Sequence, residues 1–121
     1  MNETFGQLFR RLRNEKGNTL KQVAEYLGVS VTYISDVERT ARAPFTRERI
    51  RVAAEFLDVD PNQLFTCAAE YYGAYRLSVS QHTRPAARHV GARLMERWAE
   101  LSDEELGRIT QILDENMLWV P

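Results

Sequence analysis

A single cysteine, Cys67, leaves the chain without an internal disulfide and suits a reducing compartment. No apolar run reaches membrane length or resembles a secretion signal, so a soluble, cytoplasmic protein is expected. Cys67, His82 and His89 are the only thiol or imidazole ligands, and their spacing matches no usual zinc pattern. They read more simply as a small core residue, an exposed loop residue and a helix-surface residue. A glycine-rich phosphate loop and a paired-carboxylate arrangement are also missing. With no metal and no cofactor to expect, an enzyme is set aside.

Charge is scarce as a net quantity, −1 over 121 residues, yet its distribution is uneven. Residues 1–65 hold 10 basic against 9 acidic side chains, and residues 66–121 hold 6 against 8. Between Arg39 and Arg51 lie five arginines and a single acid, Glu48. A local basic stripe of this kind binds phosphate even on a nearly neutral molecule, although a solvated helix face would look the same. An apolar content of 44% supports one modest core, or a small domain with an appendage that completes its core against a second copy. The second arrangement fits better.

The chain is organised around residues 20–39, LKQVAEYLGVSVTYISDVER. Two short helices joined by a tight turn need a small residue in the first helix, a residue tolerant of positive φ in the turn, and apolar residues three apart in the second. Ala24, Gly28, and the pair Ile34 and Val37 meet those needs, with Val23 and Leu27 facing inward and Val29 as a buried plug after the turn. Fixing Ile34 and Val37 inward turns Val31, Thr32, Ser35, Asp36 and Arg39 outward, at about 100° per residue. Nearly all of that outer face is polar, and no Gly or Pro interrupts it. It is where DNA would be read.

Leu12-Arg13, Val23-Ala24, Leu27-Gly28-Val29-Ser30, the run Tyr33-Ile34-Ser35-Asp36-Val37-Glu38-Arg39, Pro44 and Phe56-Leu57 stand at the spacing of one family. From about Phe5 to Phe65 the chain resembles the lambda-repressor-like helix-turn-helix regulators of the Xre/Cro family. The resemblance implies base reading by Val31, Thr32, Tyr33, Ser35 and Asp36, of which Tyr33 and Ser35 lie close to the backbone or the groove wall. Thr32 can donate and accept, Val31 can meet a thymine methyl, and Asp36 can accept from a cytosine amino group. Phosphate repels a carboxylate, so Asp36 holding Arg39 or Arg42 in place is the competing reading.

The same resemblance implies phosphate contacts from Thr19, Lys21 and Gln22 and from Arg39, Arg42 and Arg47, with Arg49 beside them. It pairs Arg13 with Glu38 in a structural role, two parallel hydrogen bonds tying the first helix to the third. One position departs from the pattern. Many relatives carry a glutamine where this chain has Leu20, and that glutamine contacts phosphate; Lys21, Gln22, helix N-termini or the arginine stripe must replace it.

Thr4 with Gln7, Thr19 with Gln22 and Ser102 with Glu105 have capping-box spacing, and Ser30, Thr46 and Asp60-Pro61 read as further helix starts. Phe5, Leu8, Phe9 and Leu12 form the inner stripe of the first helix, and Ile50, Ala53, Ala54 and Leu57 that of the fourth. A fifth helix opening at Pro61 is covered by Leu64, Phe65, Ala68, Tyr71 or Tyr72, and Tyr75. Beyond it only periodicity speaks. Leu77 and Val79 alternate with polar neighbours over residues 76–80, as in a short strand. Ala87, Val90, Leu94, Trp98 and Leu101 mark an amphipathic helix, and Leu106, Ile109, Leu113 and Met117 a last one.

The expected fold is all-α: a five-helix lambda-repressor-like DNA-binding domain over residues 1–66, then a helical hairpin for dimerisation or partner binding over residues 67–121, with one short strand between them as an option. Leu94, Trp98, Leu113, Met117 and Trp119 would form a dimer interface, unless the C-terminal helices simply pack on each other. The function expected is a sequence-specific transcriptional regulator, a repressor acting as a homodimer on a palindromic operator in double-stranded DNA. The alternative is an antitoxin-type or peptidase-controlled regulator whose C-terminal region binds a protein partner, a toxin or a peptidase.

Overall fold

The computed structural model describes residues 3–115, which fall into two compact units, one ending at Tyr75 and the other beginning at Arg76. Regular structure among these residues is all helical: α1 (Phe5–Glu15), α2 (Leu20–Leu27), α3 (Val31–Glu38), α4 (Arg47–Leu57), α5 (Pro61–Tyr72), α6 (Pro85–Arg97), a single 3-10 turn (Trp98–Glu100) and α7 (Asp103–Glu115). No helix among them is long and apolar enough to cross a membrane.

Each helix of the first unit starts where a side chain satisfies a free N–H of its first turn. Thr4 and Thr19 do so in full capping boxes with Gln7 and Gln22, while Ser30, Thr46 and Asp60 cap α3, α4 and α5. Gly28 closes α2 at φ 70° and ψ 33°, a left-handed geometry that glycine adopts without strain, and so turns the chain toward α3.

Phe5, Leu8, Phe9 and Leu12 of α1 meet Val23 and Ala24 of α2, Ile34 and Val37 of α3, the four inward residues of α4, and Leu64 and Ala68 of α5 in one core. Val29 is half-buried against this core and is not the expected buried plug, because it stands between the left-handed turn and the extended N-cap Ser30, at the rim. Gly6 is buried, and a Cβ there would overlap the carbonyls of Val37 and Glu38. The missing side chain is what lets α1 cross the end of α3 so closely. Phe45, in the loop before α4, sets its ring edge-on against Phe5 and Phe9, at 5.3 and 5.0 Å between centroids.

The boundary expected after residue 66 falls inside α5, which continues to Tyr72 and stops at the left-handed Gly73; the first unit extends to Tyr75. Of the residues expected to cover α5, Leu64 and Ala68 are buried, whereas Tyr71, Tyr72 and Tyr75 are exposed. Residues 76–80 form no strand. Leu77 and Val79 are exposed, and no strand among the described residues pairs with the segment, so alternation alone does not create one.

In the second unit, α6 begins with Pro85 and α7 follows Ser102, which exchanges capping hydrogen bonds with Glu105. The N–H of Ser102 holds the Glu105 carboxyl below its ordinary pKa. Because α6 ends at Arg97, Trp98 falls in the 3-10 turn, and the expected stripe from Ala87 to Leu101 is broken before its end. None of this unit's described side chains is buried. Leu94, Leu101, Leu106 and Ile109 are half-buried, while Trp98 and Leu113 remain 60% and 67% exposed. Met117, Leu118 and Trp119 lie outside the described residues.

Candidate nucleic-acid interface

The outward side of α3 follows from its inward side. With Ile34 and Val37 held in the core, Val31 and Thr32 are exposed in the first turn, and Ser35 and Asp36 are half-buried one turn on. The Ser30 hydroxyl accepts from the Tyr33 N–H at 3.0 Å and fixes where the helix begins. One oxygen of Asp36 accepts from the Arg39 guanidinium at 2.5 Å. Of the two readings of this carboxylate, the geometry favours a holding role, with Arg39 and not Arg42 as its partner.

Behind this face, Arg13 donates from Nε and Nη2 to the two carboxylate oxygens of Glu38, at 2.6 and 2.9 Å, and from Nη1 to the Asn18 carbonyl at 2.9 Å. Both side chains are buried. The hydrogen bonds to Glu38 raise the pKa of the guanidinium against the opposing effect of burial. α1, the loop before α2 and the end of α3 are thereby tied together by one side chain.

Around the face lie the cations. Lys21, Arg42 and Arg47 are exposed, and none of them forms an ion pair among the described residues. At the start of α2 the Thr19 hydroxyl accepts from the Gln22 N–H, and Gln22 Oε1 accepts from the Thr19 N–H at 2.8 Å. That leaves the Thr19 hydroxyl proton, the Gln22 amide group and the Lys21 ammonium as outward donors. Leu20 packs against the core, so it takes no part in this set. A hollow lined by Thr19, Leu20, Lys21 and Val31 brings the start of α2 beside the first turn of α3.

Tyr33 gathers Arg42 and Arg49 about itself. Its hydroxyl oxygen accepts from Arg49 Nη1 at 3.1 Å, and the guanidinium carbons of Arg42 and Arg49 lie 4.8 and 5.3 Å from its ring centroid. Arg49 is half-buried there, while Arg47 stays exposed in the first turn of α4. No local spacing signals this cluster, since Tyr33 and Arg49 are sixteen residues apart and meet only because α3 and the start of α4 converge on Phe45.

Away from this surface, the half-buried Cys67 places its sulfur 3.7 Å from the Glu3 carbonyl oxygen. Burial, and then the charges of Glu70 and Glu3, push the thiol pKa up, away from a reactive thiolate. His82 is exposed in a turn and His89 is exposed on α6. Among the described residues no cluster of three His, Cys, Asp or Glu side chains is placed to hold a metal ion.

The family described as a helix-turn-helix domain matches residues 4–64. RghRB, an uncharacterized HTH-type transcriptional regulator of Bacillus subtilis (strain 168), is 26% identical over 124 residues, spanning 91% of this chain and 88% of its own. The crystal structure of SinR, a master regulator for biofilm formation, in complex with DNA is similar at 31% identity and a TM-score of 0.47, over 50% of this chain and 97% of that one. The restriction-modification controller protein C.AhdI from Aeromonas hydrophila is similar at 36% identity and a TM-score of 0.46, over 50% and 91%. RghRB and SinR are thus described as regulators and C.AhdI as a controller protein, and the SinR structure includes DNA. With its match running from the cap of α1 into α5, through the α2–Gly28–α3 unit, the chain belongs to the helix-turn-helix transcriptional regulators of the Xre type.

Proposed function

We propose that the protein is a repressor that binds a palindromic operator as a homodimer, with one α3 in each of two successive major grooves. The observation that carries this reading is the exposed first turn of α3, with Lys21 beside Val31 and Arg42 over the Tyr33 ring, cations without carboxylate partners among the described residues. Val31, Thr32 and Ser35 would meet base edges, and Asp36 would act through Arg39. Thr19, Lys21, Gln22, Arg42 and Arg47 would grip the sugar-phosphate backbone, which positions the protein without specifying sequence. Repression needs only occupancy of a promoter. Activation would need a polymerase contact, for which no surface stands out among the described residues.

The open apolar side chains of the second unit support pairing with a second copy. They equally admit a second reading, in which α6 and α7 hold a dedicated protein partner such as a toxin or a peptidase. Selection of bound fragments from random duplex DNA, followed by footprinting and a salt titration, separates the two. The expected result is an inverted repeat whose half-sites lie about 34 Å apart, and an affinity that falls steeply with salt, by about 0.9 in log K per log salt for each phosphate neutralised. An unenriched pool and a shallow salt slope would leave the protein-binding reading.

A further inference from the structure

The geometry points to Tyr33 as a positioning residue for two phosphate-gripping arginines, Arg42 and Arg49, and not as a reader of bases. This rests on the DNA-binding reading above and assigns one side chain within it a different task. The ring of Tyr33 is backed by Phe45 at 5.9 Å, and Phe45 is itself wedged against Phe5 and Phe9 in the core. A chain of aromatic contacts therefore runs from the interior to the edge of the DNA-facing surface, and its outer member is held by packing.

Arg42 and Arg49 both lie over that ring, and Arg49 also donates to its hydroxyl. Two guanidinium groups on one ring repel each other, and neither forms an ion pair among the described residues. Asp36, the acid nearest to Tyr33 in α3, is taken by Arg39. Paired positive charge with no counter-charge is a site for an anion, and Tyr33 follows Thr32 directly, so the anion would sit beside the base-reading turn. On the DNA reading, that anion is a backbone phosphate. Tyr33 is half-buried, with cations over its ring and its oxygen already accepting, so the hydroxyl proton is what it has left to offer, and a phosphate oxygen beside the two arginines can take it.

The test uses the full chain with two duplexes of equal length, one carrying the selected site and one random, titrated by fluorescence anisotropy at several salt concentrations. Tyr33→Leu is expected to weaken both duplexes by a common factor of about 4 to 25, from two cation–ring contacts worth about two- to fivefold each. The salt slope should fall by about one phosphate. Adding Arg42→Ala to Tyr33→Leu should cost much less than Arg42→Ala alone. Tyr33→Phe keeps the ring and should lose less than about threefold, and that loss should vanish in an Arg49→Ala background; this pair carries the test if circular dichroism shows Tyr33→Leu to be unfolded.

A loss confined to the selected duplex, or losses at Tyr33 and its arginines that multiply in full, would overturn the assignment while leaving DNA binding intact. Failure of the wild-type chain to bind either duplex at low salt would remove the DNA reading and the assignment together.

Discussion

At the scale of single residues, Arg13 matters more to the first unit than any solvent-facing cation can. Its three hydrogen bonds reach Glu38 and the Asn18 carbonyl, and the side chains of Arg13 and Glu38 are both buried. The pairs Arg11–Glu3 and Arg11–Glu15 join exposed side chains, and Arg97–Glu105 an exposed one to a half-buried one, and they contribute little by comparison. Removing the guanidinium alone strands the Glu38 carboxylate without its counter-charge. Arg13→Ala is therefore expected to destabilise the fold by about 3–5 kcal/mol in urea unfolding, and the double change Arg13→Met with Glu38→Leu to cost less than the single one, since an apolar pair leaves no orphaned charge. Additive losses for the two positions would show that the pair is not coupled. Gly6 acts at the same crossing through volume instead of charge, because any side chain there meets the α3 carbonyls.

At the scale of elements, the labour divides between α3 and the segment that leads into α4. Thr32→Ala is expected to lower discrimination between the selected and a random duplex by about tenfold, while Arg42→Ala weakens both duplexes alike and reduces the salt slope by about one. Competition binding with both duplexes checks this, and equal losses on both for both variants would abolish the division. What the sequence reveals of these elements depends on how local the signal is. Capping boxes at Thr4, Thr19 and Ser102 join residues three apart, so they are legible, and so is the outward side of α3 once Ile34 and Val37 point inward. The Arg13 pairing is implied by family resemblance alone, since no periodicity links residues twenty-five apart. Phe45 and Gly6 carry no such signal, because their roles arise only when α1, α3 and the loop over residues 40–45 converge. Residues 76–80 show the opposite case: the local pattern is present, but among the described residues the partner that a strand requires is not.

At the scale of the whole molecule, the two units pose different problems to water. The first closes a core on itself. The second buries none of its described side chains and leaves Val90, Met95, Trp98, Ile112 and Leu113 exposed on 3-10 turn and helix surfaces. Apolar surface on that scale marks a contact waiting to be made, and a stable contact needs about 1,200–2,000 Å² buried in total. A second copy supplies an identical apolar surface and also delivers the second α3 that a palindrome requires. Sedimentation of the wild-type chain is then expected to give twice the 14.0 kDa chain mass, and Leu113→Glu or Trp98→Ala to shift it toward the monomer. The same variants should keep α3 intact and still bind a single half-site as the wild type does, yet lose about 10²–10⁴ in affinity for the full palindrome, because the second recognition event is no longer tethered to the first. A wild-type chain that saturates the palindrome as a monomer, or a Leu113→Glu chain that sediments as the wild type does, would assign the open side chains of α6 and α7 to a different protein.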